Sequence, residues 1–194
     1  MITTETFIFQ IAFKLYKCDY FLINCINYVL HIRSGIMKEF IDKSFSVFAK
    51  EWALVTAGDM DSYNTMTIAW GGLGTLWSKP VATVYVKPCR YTHQFIENSD
   101  YFTVCFFDEE YKKALGVLGS KSGRDGDKVA EVGFEAVPCG ESVTFKQAKL
   151  TLLCKKIYRH DMDTSAMPQK EIDTYYVDEA PHTIFIGEVV DVIE

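Results

Sequence analysis

The chain has 194 residues, enough for one domain with a sizeable core, and 48% of them are hydrophobic. Its formal net charge of -6 argues against a general nucleic-acid binder, which needs a basic face to displace counterions. The six cysteines (Cys18, Cys25, Cys89, Cys105, Cys139 and Cys154) include no C-x-x-C pair and no Cys/His cluster with zinc-site spacing, so they read as small buried hydrophobes of a reducing, cytoplasmic protein.

Residues 1–36 differ in composition from everything after them, being rich in Ile, Phe, Tyr, Asn, Leu and Lys, with no proline and no glycine before Gly35. Lys14, Lys17 and Asp19 interrupt the apolar run, which excludes a spanning helix, and no small-x-small cleavage site supports a signal peptide. The segment has the composition of translated AT-rich non-coding DNA, and Arg33-Ser34-Gly35 is encodable by a purine-rich ribosome-binding stretch. We therefore expect a non-native extension with the native start at Met37. The competing reading is an amphipathic arm that packs on a partner or surface.

From Met37 onward, Trp52–Ala57 reads as a short buried strand ending in the turn Gly58-Asp59-Met60-Asp61. Asn64–Trp70 is a second strand, broken by Gly71, Gly72 and Gly74, which would let the backbone come close to another group. Val81–Val86 is a third strand, stopped by Pro88. Thr92–Glu97 reads as a short helix with Thr92 as its N-cap, and Tyr101–Phe106 as a fourth strand. Helical periodicity marks Glu109–Leu118, glycines mark Ser120–Asp127 as a loop, and Gly133 ends a helical turn over Lys128–Val132. Val143–Tyr158 is a long stretch of strand character, Met167–Tyr176 a connecting helix, and Thr183–Val192 the final strand. Many strands without βα alternation predict a mainly β fold: a closed or partly closed antiparallel barrel whose ends are covered by short helices.

The common nucleotide signatures fail. Gly72-x-Gly74-x-x is followed by Trp77, and Gly119-Ser-Lys-Ser-Gly123 runs into Arg124 instead of a phosphate-loop lysine. What stands out is the run Asn64-Thr65-Met66-Thr67-Ile68-Ala69-Trp70 through Pro80, followed by Arg90-Tyr91-Thr92 after the third strand. A β-type run with two tryptophans suits a flat aromatic ligand. A guanidinium, hydroxyls and the free N–H groups of a helix start suit a phosphate. Each residue also has a plain alternative: a solvent-facing Asn64, a core Trp70, a surface Arg90, a solvated charged loop at Ser122–Lys128.

Taken together, these motifs closely resemble the flavin reductase-like family, the FMN-binding split barrels that include flavoredoxins, over about residues 40–194. The resemblance implies a six-stranded antiparallel Greek-key split barrel that dimerises, with FMN near the interface. It implies contacts to the flavin from Asn64, Thr65, Met66, Thr67 and Trp70, and to the phosphate from Arg90, Tyr91 and Thr92. Ser122 and Lys128 lie in the family's polar loop, where a cation would favour the anionic reduced flavin. His160 and Phe185 are the nearest matches to a late histidine and a last-strand aromatic. The implied activity is an NAD(P)H:flavin oxidoreductase, taking hydride from NADH or NADPH at the flavin with no catalytic side chain. The alternative is a flavoredoxin-type carrier that exchanges electrons with a redox protein. Neither nucleic acid nor membrane is an expected partner.

Overall fold

The computed structural model describes residues 42–194, so the expectation for residues 1–36 lies outside the described range. Ser44–Glu194 forms one compact unit. Its β-branched and aromatic runs pair into strands β1 (Ala53–Gly58), β2 (Tyr63–Ile68), β3 (Gly71–Leu76), β4 (Lys79–Val86), β5 (Tyr101–Phe106), β6 (Ala136–Cys139), β7 (Ser142–Phe145), β8 (Leu150–Asp161) and β9 (Thr183–Ile193). Helix α1 covers residues 42–49. Helices α2 (Tyr91–Asn98), α3 (Lys112–Ser120), α4 (Lys128–Glu131) and α5 (Gln169–Tyr175) follow. Seven strands make one antiparallel sheet in the order β2-β1-β5-β8-β9-β4-β3, and β6 and β7 pair as a separate hairpin.

This corrects the expected six-stranded barrel. Among the described residues no ladder joins the edge strands β2 and β3, so the sheet does not close by strand pairing. The seventh strand, β3, is the glycine-rich segment that was expected only to break the second strand. Trp77 and Ser78 both adopt positive φ, 51° and 60°, the left-handed pair that a two-residue hairpin loop requires. They fold β3 back onto β4, with Leu76 opposite Lys79. Only one of the three glycines meets a close approach: a Cβ on Gly71 would lie 2.6 Å from the Phe48 ring, whereas Gly72 and Gly74 face open space.

β1 and β5 are buried on both faces. One face carries a cluster that includes Phe48, Val55, Val84, Ile96, Phe102 and Phe185. The other carries Leu54, Cys105, Leu115, Leu118, Phe134 and Phe145. The second cluster is supplied by the excursion between β5 and β8, which holds α3, α4 and the β6–β7 hairpin. Val143–Tyr158, read as one stretch of strand character, is therefore two strands, β7 and β8, separated by a turn. The first residues of the predicted helix Glu109–Leu118 form a 3-10 turn, Glu109–Tyr111, ahead of α3. Asp127 caps α4 by accepting from the backbone N–H groups of Val129 (3.1 Å) and Ala130 (2.9 Å), and Gly133 at φ 71° ends the segment.

Thr92 is not the N-cap of α2. Arg90 holds that position and makes no side-chain cap bond, because the Thr92 hydroxyl is drawn inward as the acceptor for Asn64 Nδ2 at 2.7 Å. Cys105, Cys139 and Cys154 are buried thiols and Cys89 is exposed. Burial pushes the Cys139 thiol up to about 11 and that of Cys154 to about 12, which keeps both protonated.

Candidate functional site

Strand β2 leads through three adjoining clefts. The middle one, about 150 Å³, is where three separate parts of the sequence meet: Asn64 and Met66 on β2, Arg90–Thr92 at the β4–α2 corner, and Ser120–Arg124 with Lys128 beyond α3. The excursion that covers the second core cluster also carries this last loop across to α2. Asn64, buried, fixes the corner through its bond to Thr92. Gly123 packs so closely that a Cβ there would collide with the Asn64 amide oxygen and come within 3.2 Å of the Tyr91 ring. Arg124 donates to the Cys89 carbonyl at 3.3 Å and lies 4.6 Å from the Tyr91 ring centroid, tying the loop to the corner.

Lys128 is buried. Its Nζ donates to the carbonyls of Leu118 (2.7 Å) and Lys121 (2.9 Å), at the C-terminal end of α3, where a cation complements the helix dipole. Burial, together with the neighbouring positive charge of Arg90, lowers its pKa to about 8. Two cations that repel each other across one small cleft, beside the first turn of a helix, create a place for an anion.

The third cleft, about 220 Å³, joins the second at Met66 and Arg90 and continues to Trp70, Tyr85, Lys87 and His182. Trp70 is 42% exposed. Its ring lies 4.9 Å from that of His182 and 5.2 Å from that of Tyr175, centre to centre. Tyr176 Oη and His182 Nδ1 are 3.0 Å apart. Burial, with Lys87 and Arg90 nearby, lowers the His182 pKa to about 4, so the ring is neutral at pH 7. Lys87 is held by the Tyr175 carbonyl at 3.0 Å and by the Glu179 carboxylate. The first cleft, about 350 Å³, continues from Asn64 and Lys128 in the opposite direction, toward Asp61 and Tyr63.

The structure therefore gathers Asn64, Met66, Arg90, Tyr91, Thr92, Ser122 and Lys128 around the middle cleft, and sets Thr67 and Trp70 on the third. Strand alternation separates the β2 side chains. Thr65 is turned to β1, accepting from Thr56 Oγ1 at 2.8 Å and donating to the Val55 carbonyl at 3.2 Å. Thr67 donates to the Leu115 carbonyl of α3 at 2.5 Å. His160 and Phe185 are not brought to the clefts. His160 is exposed on the outer half of β8, its ring 6.3 Å from that of Tyr158, and Phe185 is fully buried in the core beside His93. The histidine that reaches the site is His182, one residue before β9. Its signal in the sequence was its place at the start of the last strand. Lys87, which ends up beside it, had no signal beyond its position after β4. Among the described residues no group of three or more His, Cys, Asp or Glu side chains could hold a metal ion. No helix there is long and apolar enough to cross a membrane.

Residues 45–194 match the family model of the flavin reductase like domain. No curated protein matches the chain. Among solved structures, flavoredoxin of Desulfovibrio vulgaris (Miyazaki F) is 26% identical, with a TM-score of 0.57 over 73% of this chain and 68% of that one. Flavoredoxin from Methanosarcina acetivorans is 20% identical, with a TM-score of 0.60 over 74% and 68%. An NADH:FAD oxidoreductase of Streptomyces globisporus is 19% identical, with a TM-score of 0.56 over 74% of each chain. With a family model spanning everything from within α1 to the C-terminus, the chain belongs to the flavin reductase-like family.

Proposed function

We propose that the chain binds FMN across the middle and third clefts and acts as an NAD(P)H:flavin oxidoreductase. The observation that carries this reading is the pairing of Arg90 with the buried Lys128 on one small cleft at the start of α2. A phosphate monoester placed there would relieve their repulsion and accept charge-assisted hydrogen bonds. The cleft continues along β2 past Met66 to Trp70, and this gives a ring system an apolar wall. The residues present thus fit FMN: Arg90 and Lys128 at its anionic end, Asn64 and Met66 along β2, Trp70 and His182 at the far end.

Bound FMN supplies two-electron redox chemistry. The protein's own part is to hold, orient and tune it. His182, neutral at pH 7 and tied by its Nδ1 to Tyr176, presents its other ring nitrogen as an uncharged hydrogen-bonding group beside Trp70. No side chain is required as a nucleophile. The Streptomyces globisporus oxidoreductase, described in complex with NAD and FAD fragments, supports a nicotinamide donor for this chain. The 26% identity to Desulfovibrio vulgaris flavoredoxin favours a second reading, an electron carrier with tightly held FMN and little nicotinamide activity.

Absorbance spectra before and after anaerobic addition of NADH or NADPH, with and without added FMN, test both readings. Bleaching of a bound flavin at a catalytically useful rate is expected. A flavin that binds but is bleached by neither donor would leave the carrier reading. A protein that takes up no FMN would overturn both. Gly123→Ala is expected to push the Asn64 amide out of place and weaken FMN by about tenfold, the equivalent of ~1.4 kcal/mol. Equilibrium dialysis of the two proteins checks this, and unchanged affinity would remove Asn64 from the site.

A further inference from the structure

His93, Thr183 and Asp161 line none of the three clefts along β2, yet a hydrogen-bonded chain through them joins the two ends of the proposed site. Thr183, the first residue of β9, is fully buried where β9 pairs with Val86 of β4 on one side and Asp161 of β8 on the other. Its hydroxyl lies 2.7 Å from Asp161 Oδ1 and 2.8 Å from His93 Nε2. A hydroxyl has one proton to give, and an ionised carboxylate can only accept. The Thr183 bond, with the Arg159 guanidinium, holds the Asp161 carboxyl below the ordinary carboxylate range, so the Thr183 proton goes to Asp161. His93 is then the donor, through Nε2–H. Phe185, which does not reach the clefts, meets the His93 ring edge to face at 5.5 Å and supports it from the core.

Both bonded residues adjoin the site. His93 follows Thr92, which holds Asn64, and its backbone N–H donates to the Arg90 carbonyl at 3.0 Å. Thr183 follows His182, whose carbonyl accepts from the Met162 N–H at 3.0 Å, one residue after Asp161. Arg159 adds a second tie between the same elements, reaching Glu97 of α2 at 3.2 Å and Asp161 of β8 at 2.6 Å. The start of α2 and the start of β9 are thus fastened to each other, and with them the phosphate corner and the histidine beside Trp70. A ligand that touches both ends at once depends on their spacing, and a ligand that touches one end does not. We infer that His93 and Thr183 are positioning residues, which hold Arg90 and His182 at the separation that lets one flavin engage both ends of the site. The inference rests on the flavin reading of the clefts.

Titrations of FMN, riboflavin and inorganic phosphate against the full chain and its variants test it. Valine keeps the branched shape of threonine and removes the hydroxyl. Thr183→Val is therefore expected to weaken FMN tenfold or more, and to leave riboflavin and inorganic phosphate, which each use one end, within threefold. Thr183→Ser restores the hydroxyl and is expected to stay within threefold of the native chain for all three ligands. His93→Phe should match Thr183→Val, and His93→Gln, which keeps a side-chain N–H, should resemble the native chain. The double variant His93→Phe/Thr183→Val should bind FMN no more weakly than either single one, because all three lack the same bond. The two His93 variants decide the matter if Thr183→Val does not fold. Equal weakening of FMN and riboflavin in the folded variants would reduce the bond to general support of the fold and overturn the inference. So would unchanged FMN affinity in Thr183→Val or in His93→Phe. A native chain that takes up neither flavin would overturn the flavin reading itself, and the inference with it.

Discussion

Arg90→Ala is expected to weaken FMN by roughly ten- to a hundredfold while leaving riboflavin, which lacks the phosphate, almost unchanged. Loss of one charge-assisted hydrogen bond costs about 1.5–3 kcal/mol, and each ~1.4 kcal/mol is a factor of ten in dissociation constant. Arg90 is exposed and makes no side-chain cap bond to α2, so the fold should tolerate the change. Thr92→Val should behave differently. The Thr92 hydroxyl accepts from the buried Asn64 amide, and valine would leave that donor unpaired in a position that lines the cleft. FMN and riboflavin are then expected to weaken together, with a loss of stability of order 1–3 kcal/mol. Parallel titrations of the two ligands against the native chain and both variants separate the cases. If Arg90→Ala weakened both ligands equally, Arg90 would not be a phosphate contact.

Lys128→Met should change three properties at once. With the ammonium gone, the carbonyls of Leu118 and Lys121 lose their donor at the end of α3, which costs stability of order 1–3 kcal/mol. The pH dependence has a definite sign. The folded-state pKa of about 8 lies below the ordinary lysine value of 10.5, so between these values the unfolded chain binds more protons and stability rises with pH. Below about pH 8 both states are protonated and the penalty of the buried charge is fully present. Above about 10.5 both are neutral and it is gone. The melting-temperature advantage of the native chain over Lys128→Met is therefore expected to widen from pH 8 to 10.5, and parallel slopes in thermal melts across that range would contradict the burial of the charge. The same variant should also weaken FMN about tenfold or more while leaving riboflavin almost unchanged, because Lys128 stands with Arg90 at the phosphate end of the middle cleft. Equal weakening of both ligands in parallel titrations would detach Lys128 from the phosphate while leaving its structural role intact.

The sequence by itself determined the strands built from β-branched and aromatic runs, because local pattern and burial agree there: β1, β2, β4, β5 and β9 fall within two residues of their expected bounds. It also determined the Gly133 stop and the loop read over Ser120–Asp127, of which only Ser120 belongs to α3. The cluster of Asn64, Arg90, Tyr91, Thr92, Ser122 and Lys128 was legible because each member lies at a strand or helix boundary where a particular chemistry is expected. Tertiary structure decided the rest. The seventh strand depends on positive φ at Trp77 and Ser78, which neither residue favours by itself and which pairing of β3 with β4 imposes. The role of Lys128 depends on carbonyls seven and ten residues earlier, at the end of a helix packed behind it. The exchange of His160 for His182 is also tertiary. His160 is carried on the exposed outer half of β8, whereas His182, just before β9, meets Trp70 together with Tyr175 and is bonded to Tyr176, residues at the end of α5. Residues so far apart in sequence have no common local pattern, so which histidine meets Trp70 was settled only when α5 and the start of β9 packed beside the end of β2.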